Sequence, residues 1–427
     1  MKTSFAITNA RLVDPASGTD APGGILVEDG LIAQTGGALD LSGADDVIDA
    51  GGQILAPALI DLRAAKETAL TPDGETTSSL AAGAAAGGFG TVVLAPNANA
   101  PLDKADGFAG MSRGLSAHGV RMLAAAGATR GLRGEEMSEL GLMVRGGAVY
   151  AGHGDHPITD TQTLRRVMSY SSQFDIWLAL RPADAALSAG TVATESDWSA
   201  RMGLPSEPAM SERIAIDRDA SICALTGGKL LVDRVSTADG LAAIRAARKR
   251  DIEIAASCAI AHLTLNEVDA GGLDSAFRMD PPLRLESDRR ALVAAIASGE
   301  IDAIVSDHRP TPYDDKGEPF ALAIPGTLAL ETLLGALLAL VHDGELTLLE
   351  ALRPLTSGPA SLLGLKQGRL ATGAPADFIL IDGDTPWVCD PASLKSPRGN
   401  CAWAKRRFTG RVMQTFVDGQ EIYNYNG

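Results

Sequence analysis

The chain has 427 residues and a formal net charge of −16, with 45% hydrophobic but only 4% aromatic side chains. That acidic balance excludes the basic surfaces that nucleic acids and anionic membranes require, and no apolar run approaches the roughly 20 residues needed to span a bilayer. The length suits one large α/β domain with a smaller companion, its interior packed by Ala, Leu, Val and Ile. The four cysteines, Cys223, Cys258, Cys389 and Cys401, are scattered without a C-x-x-C pair. Reduced, packed thiols in a cytoplasmic protein are expected.

In chain order, residues 3–50 read as short alternating strands with a turn signal at Glu28-Asp-Gly. From residue 54 the rhythm changes to apolar runs separated by Ala-rich helical stretches, the pattern of βα units around a parallel sheet. Eight strands are predicted at 54–62, 90–95, 119–125, 147–151, 175–181, 229–235, 252–257 and 301–306. Helices are predicted at 75–86, 160–172, 212–226, 238–250, 287–298 and 327–340. Eight such units imply an α/β fold, a (β/α)8 TIM-type barrel over 54–365, with its chemistry at the C-terminal strand ends. Residues 366–427 return to short strands, with turns at Gly373-Ala-Pro-Ala-Asp and Val417-Asp-Gly. They are expected to join 1–53 in a composite β-sandwich, since neither piece alone has enough strands to bury a face.

Several blocks carry chemical information. Ile54-Leu-Ala-Pro-Ala-Leu-Ile-Asp-Leu-Arg63-Ala-Ala65 opens the barrel. Thr91-Val-Val-Leu-Ala-Pro-Asn97-Ala-Asn99, Val235-Ser-Thr237, Asp280-Pro-Pro-Leu-Arg284, Ser306-Asp307-His308-Arg-Pro310 and Gly326-Thr-Leu-Ala-Leu-Glu331-Thr follow at the later strand ends. In this order and spacing the chain resembles the cyclic amidohydrolases, most closely the dihydroorotases, over nearly its whole length. In that family the first strand reads P-G-x-I-D-x-H-x-H and its two histidines hold zinc.

Carried over residue by residue, the resemblance implies a dismantled metal site. The H-x-H positions hold Arg63 and Ala65. The arginine that grips the substrate carboxylate becomes Glu67, and the substrate-binding asparagine becomes Asp280. The bridging acidic ligand after strand four falls at His153-Gly154. The histidines after strands five and six become Arg181 and Arg234, and that of D-H-A-P-H becomes Thr311. Asp307, the family's metal-binding general base, survives beside His308. A guanidinium has five donors and no acceptor, so it cannot ligate a cation. No zinc or other cofactor is therefore expected, unless His153, His156 and Asp307 form a relocated metal site.

Asp307 and His308 are thus the candidate catalytic residues, with Arg63, Arg181, Arg234, Asn97 and Asp280 lining the pocket. The three arginines imply either a salt-bridged plug, compensated by Asp307, Asp184, Asp233 or Glu67, or a pocket for a small anion. His262 is expected to pack or cap, and His118 and His342 to be ordinary loop or helix-end residues. The resemblance further implies a place in pyrimidine biosynthesis. Inactive dihydroorotase-like proteins accompany aspartate transcarbamoylase, so a structural or regulatory subunit of a homo- or hetero-oligomer with that enzyme is expected. An active cyclic amidohydrolase with a rebuilt site, interconverting carbamoyl aspartate and dihydroorotate, is the enzymatic alternative.

Overall fold

The structure is a computed structural model and describes residues 4–65, 74–114, 119–311 and 313–425. Glu67 and His118 lie outside the described residues. The strands are β1 (Ser4–Asp14), β2 (Thr19–Glu28), β3 (Leu31–Gly36), β4 (Asp46–Asp49), β5 (Ile54–Pro57), β6 (Leu59–Ala64), β7 (Phe89–Leu94), β8 (Arg121–Ala124), β9 (Ala126–Gly127) and β10 (Ala151–Gly152). They continue with β11 (Trp177–Leu180), β12 (Ala193–Thr194), β13 (Ser206–Glu207), β14 (Lys229–Val232), β15 (Ile254–Ala259), β16 (Ala303–Val305), β17 (Phe378–Val388), β18 (Arg407–Val417) and β19 (Gln420–Asn424).

Strands from the two ends of the chain form one mixed eight-stranded sheet, ordered β19-β18-β17-β5-β1-β2-β3 with β4 beside β1. β5 is the seam: it pairs in parallel with β1 and antiparallel with β17. The face of this sheet is apolar, with Ile7, Ile25, Val27 and Leu55 fully buried around Phe378 and Phe416. The two phenyl rings stack with centroids 4.5 Å apart. The strand predicted at 54–62 is therefore two strands. Ala58 N–H still donates to Asp377 O beside β17, at 3.0 Å, whereas Leu59 N–H donates to Gly88 O beside β7, at 2.9 Å. Residues 54–57 pair in the terminal sheet and the barrel begins at Leu59.

The barrel consists of parallel strands in the orders β6-β7-β8 and β9-β10-β11-β14-β15-β16. Only Ala125 separates β8 from β9. The ring closes where Ala64 bridges His308 in parallel and the Ala65 N–H donates to His308 O at 2.8 Å. Every residue of β6, β7 and β15 is buried, as strands covered on both faces must be. All eight predicted barrel strands are present. The short pair β12–β13 is a separate parallel sheet.

The helices follow the expected pattern, with caps that the sequence supplies. Thr76, Asp160 and Thr237 accept backbone N–H bonds at the starts of Thr77–Ala86, Thr161–Ser171 and Ala238–Arg248. Met210–Thr226 and Glu286–Ser298 also match their predictions closely. The helix predicted from 327 starts later, at Leu333–His342. The N–H groups of Ala329 and Leu330 turn instead toward His308 Nδ1, at 3.2 and 3.4 Å. Among the described residues no helix is long and apolar enough to cross a membrane.

Candidate functional site

Arginines and carboxylates from several strand ends converge at the C-terminal mouth of the barrel. Arg63, on β6, spends its whole guanidinium on three acids. Nε donates to Asp307 Oδ1 at 2.9 Å, Nη1 to Asp233 Oδ2 at 2.7 Å and Nη2 to Asp155 Oδ1 at 2.6 Å. Arg234, two residues beyond β14 and fully buried, crosses it. Its Nη1 meets Asp307 Oδ2 at 3.1 Å and the Asp280 carbonyl at 2.7 Å, and its Nη2 meets Asp155 Oδ1 at 3.0 Å. Arg309 adds a third guanidinium to Asp155 Oδ1, at 2.7 Å.

A second group lies beside the first. Arg181 donates to Asp280 Oδ1 at 2.5 Å and lies 3.6 Å from Glu207 Oε2, which Arg284 approaches to 3.5 Å. Counted together, Arg63, Arg181, Arg234, Arg284 and Arg309 face Asp155, Glu207, Asp233, Asp280 and Asp307, five charges against five. That balance matters because an uncompensated buried charge is severely unfavourable.

The electrostatics follow from this packing. Burial pushes the Asp155 carboxyl up, but Arg309, Arg63 and Arg234 override it and hold it well below the usual carboxylate range. Burial opposes ionisation of Asp307 and Asp280 as well; Arg234, Arg309 and Arg63 depress the first, and Arg181 and Arg234 the second. Arg63 is disfavoured as a cation by burial and restored well above its ordinary value by Asp233, Asp155 and Asp307. Arg234 and Asp307 hold left-handed backbone, with φ of 67° and 46°. Such conformations are unfavourable by about 1–3 kcal/mol each and survive only where the surroundings enforce them. The Ser257 hydroxyl accepts the Arg234 N–H at 3.0 Å and helps to do so.

Beneath the cluster, Asp61 is fully buried and accepts from the N–H groups of Ser306 and Arg63, at 3.0 and 3.1 Å, and from the Ser306 hydroxyl. Burial raises its carboxyl to about 6. His308 does not face the arginines. Its Nδ1 accepts two backbone N–H groups, which leaves Nε2 to donate to Glu75 Oε2 at 3.1 Å.

The structure thus brings Arg63, Arg234, Asp233 and Asp307 together, and Arg181 with Asp280 beside them. Asn97 does not join: its Oδ1 accepts the N–H groups of Asn99 and Ala100, both at 2.9 Å, and shapes its own turn. Asp184, expected among the compensating acids, caps the short helix Ala185–Ser188 instead. His153 is buried between Thr129 Oγ1 and the His156 carbonyl, at 2.8 and 2.7 Å, while the His156 side chain is exposed. His153, His156 and Asp307 therefore do not assemble, and among the described residues no group of three His, Cys, Asp or Glu side chains is placed to hold a metal ion. His262 is a packing residue whose Nε2 donates to Pro281 O at 3.1 Å, and burial depresses it to about 4. Thr311 is held by Asn400 Oδ1 at 3.2 Å.

Sequence reasoning missed three participants. Asp155 lies between His153 and His156 in sequence, in the loop after strand four, yet it receives three guanidiniums. Glu207 sits between strands five and six without a distinctive motif. Arg309 did have a signal, because it introduces a charge where the resembled D-H-A-P-H motif carries alanine.

Comparison with known proteins agrees with this architecture. Residues 81–422 match the amidohydrolase family. Curated relatives named dihydroorotase, from Syntrophotalea carbinolica and Anaeromyxobacter dehalogenans, are 35% and 34% identical over 98% and 99% of this chain and 98% of their own. The chain belongs to the amidohydrolase family. It is a dihydroorotase-like amidohydrolase, and its fold is shared with solved cyclic amidohydrolases. An L-hydantoinase from Arthrobacter aurescens superposes with a TM-score of 0.88 at 23% identity, covering 99% of this chain and 96% of that one. A dihydropyrimidinase from Brevibacillus agri gives 0.81 at 19%, covering 99% and 95%.

Proposed function

We propose that this dihydroorotase-like amidohydrolase is a non-catalytic member of its family, a structural or regulatory subunit of pyrimidine biosynthesis that associates with aspartate transcarbamoylase. The observation that carries the reading is the Arg63 guanidinium, which holds Asp155, Asp233 and Asp307 at 2.6–2.9 Å. It occupies the strand end where the resembled family has its zinc-binding histidines.

Zinc would polarise the reacting carbonyl and activate water, and a catalytic zinc site needs about three protein ligands from His, Asp, Glu or Cys. The donor set here does not fit that ion. The carboxylates at the barrel mouth are already neutralised by guanidiniums, and a divalent cation among Arg63, Arg234 and Arg309 would be repelled by all three. The same pairing opposes the small-anion reading, because all three guanidinium nitrogens of Arg63 and two of those of Arg234 are already bonded to the protein's own oxygens. The association with aspartate transcarbamoylase rests on the family resemblance and on a complete barrel retained around a neutralised centre.

Purified protein assayed in both directions, with carbamoyl aspartate and with dihydroorotate in excess zinc, is expected to show background rates. Zinc-dependent turnover above background would overturn the reading. The transcarbamoylase of the same cell is expected to co-elute with the protein in gel filtration; independent elution would remove the proposed partner.

A further inference from the structure

We propose that Cys389 and Cys401 form a reversible disulfide on exposure to a small peroxide, clamping the loop between β17 and β18. Their sulfurs lie 3.7 Å apart, and both residues are buried, at 0% and 1% exposure. Cys389 directly follows β17, and Cys401 begins the turn into β18. The main chain fixes both positions. Cys389 N–H donates to Arg406 O at 2.9 Å, Lys405 N–H to Cys389 O at 2.7 Å, and Ala404 N–H to Cys401 O at 3.2 Å. A disulfide holds its sulfurs roughly 2.05 Å apart, so oxidation draws these two together from van der Waals contact. The other two thiols are differently engaged: Cys223 donates to Gly228 O and Cys258 to Ala259 O.

The pair is chemically asymmetric. The sulfur–sulfur contact, in which either thiol can donate, and the backbone N–H groups of Trp403 and Ala404 favour the Cys401 thiolate against burial. That thiolate attacks one peroxide oxygen, the O–O bond breaks, and the departing oxygen takes a proton to leave as water or an alcohol. Cys401 is then a sulfenic acid. The Cys389 sulfur attacks the Cys401 sulfur, the S–O bond breaks, and hydroxide leaves as water with the Cys389 proton. Two thiols have lost two electrons to one peroxide. Two equivalents of a small thiol reverse the change by exchange.

The clamp would reach the barrel mouth through Asn400. Its Nδ2 donates to Arg309 O at 2.9 Å, and its carbonyl accepts Leu328 N–H at 2.9 Å. The disulfide therefore ties down the strap that holds the segment bearing Arg309.

The test is hydrogen peroxide treatment of the full chain, followed by denaturing alkylation, intact mass and peptide mapping. Alkylation at two thiols in place of four, one Cys389–Cys401 cross-linked peptide and full reversal by dithiothreitol are expected. The cross-link should persist in a Cys223→Ser/Cys258→Ser variant. Cys389→Ser should instead accumulate oxygen adducts at Cys401. Alkylation of all four thiols after peroxide, or cross-links elsewhere or between chains, would overturn the proposal.

Discussion

The barrel mouth and the terminal sheet are both well-buried regions, but they are held by different physics. At the mouth, Arg63, Arg234 and Arg309 meet Asp155, Asp233 and Asp307 through directional bonds, several of them sharing one oxygen. In the sheet, Phe378, Phe416 and the aliphatic side chains around them are held by area and shape alone. The mouth should therefore fail sharply when one member is lost, whereas the sheet should respond in proportion to the volume removed.

The largest effect is expected from Arg234→Ala, which leaves Asp155 and Asp307 short of a buried partner. Urea unfolding should show a loss of about 3–5 kcal/mol, and a loss near zero would mean that the cluster does not hold the mouth together. Acid should act through the same groups. Asp155, Asp280 and Asp307 ionise more readily in the folded chain than in the unfolded one. The stability they contribute is complete above the unfolded carboxylate value of about 3.9 and is lost as pH falls through their lower folded values. Asp61 has the opposite sign: raised to about 6, it favours the folded state while protonated, and that contribution is lost as pH rises through about 6. A pH series of melting temperatures should thus fall steeply on the acid side only below about 4, and should also decline as pH rises through about 6. Arg234→Ala should flatten the acid-side fall.

Conservative changes separate the two regions further. Arg234→Lys keeps the charge but cannot serve Asp155, Asp307 and the Asp280 carbonyl at once, and should still lose about 1–3 kcal/mol. Ile25→Val in the sheet should lose only about 0.5–1.5 kcal/mol. If the order of these two is reversed in parallel denaturation curves, the contrast between the regions is wrong. The smallest effect is expected at the exposed Arg11–Asp20 pair, where Arg11→Ala should cost about 0.2–1 kcal/mol and less at high salt.

The same contrast explains what the sequence could disclose. The barrel was legible because its strands are continuous apolar runs at regular spacing, and periodicity reports burial directly. Arg63, Arg234 and Asp307 were legible because strand ends fix where their side chains start. Their partners were not, because Asp155 and Glu207 lie on connections whose path depends on tertiary packing. Asp184 was misplaced for a similar reason: a short acid next to a helix start satisfies the nearest backbone N–H groups before any distant arginine. The changeover after Ala58 was hidden because Pro57 and Ala58 continue an apolar run that periodicity reads as one strand.

β5 has a further consequence for how the protein is made. It lies between β1 and β17, so the sheet holding the first strands gains that second neighbour only after residues 378–388 have been synthesised. The barrel strands, all encoded before that point, can close while the early strands still lack their later neighbour. Domains generally fold as units during synthesis. The terminal sheet is therefore completed only after the barrel strands have been made, and β5 ties the two events together.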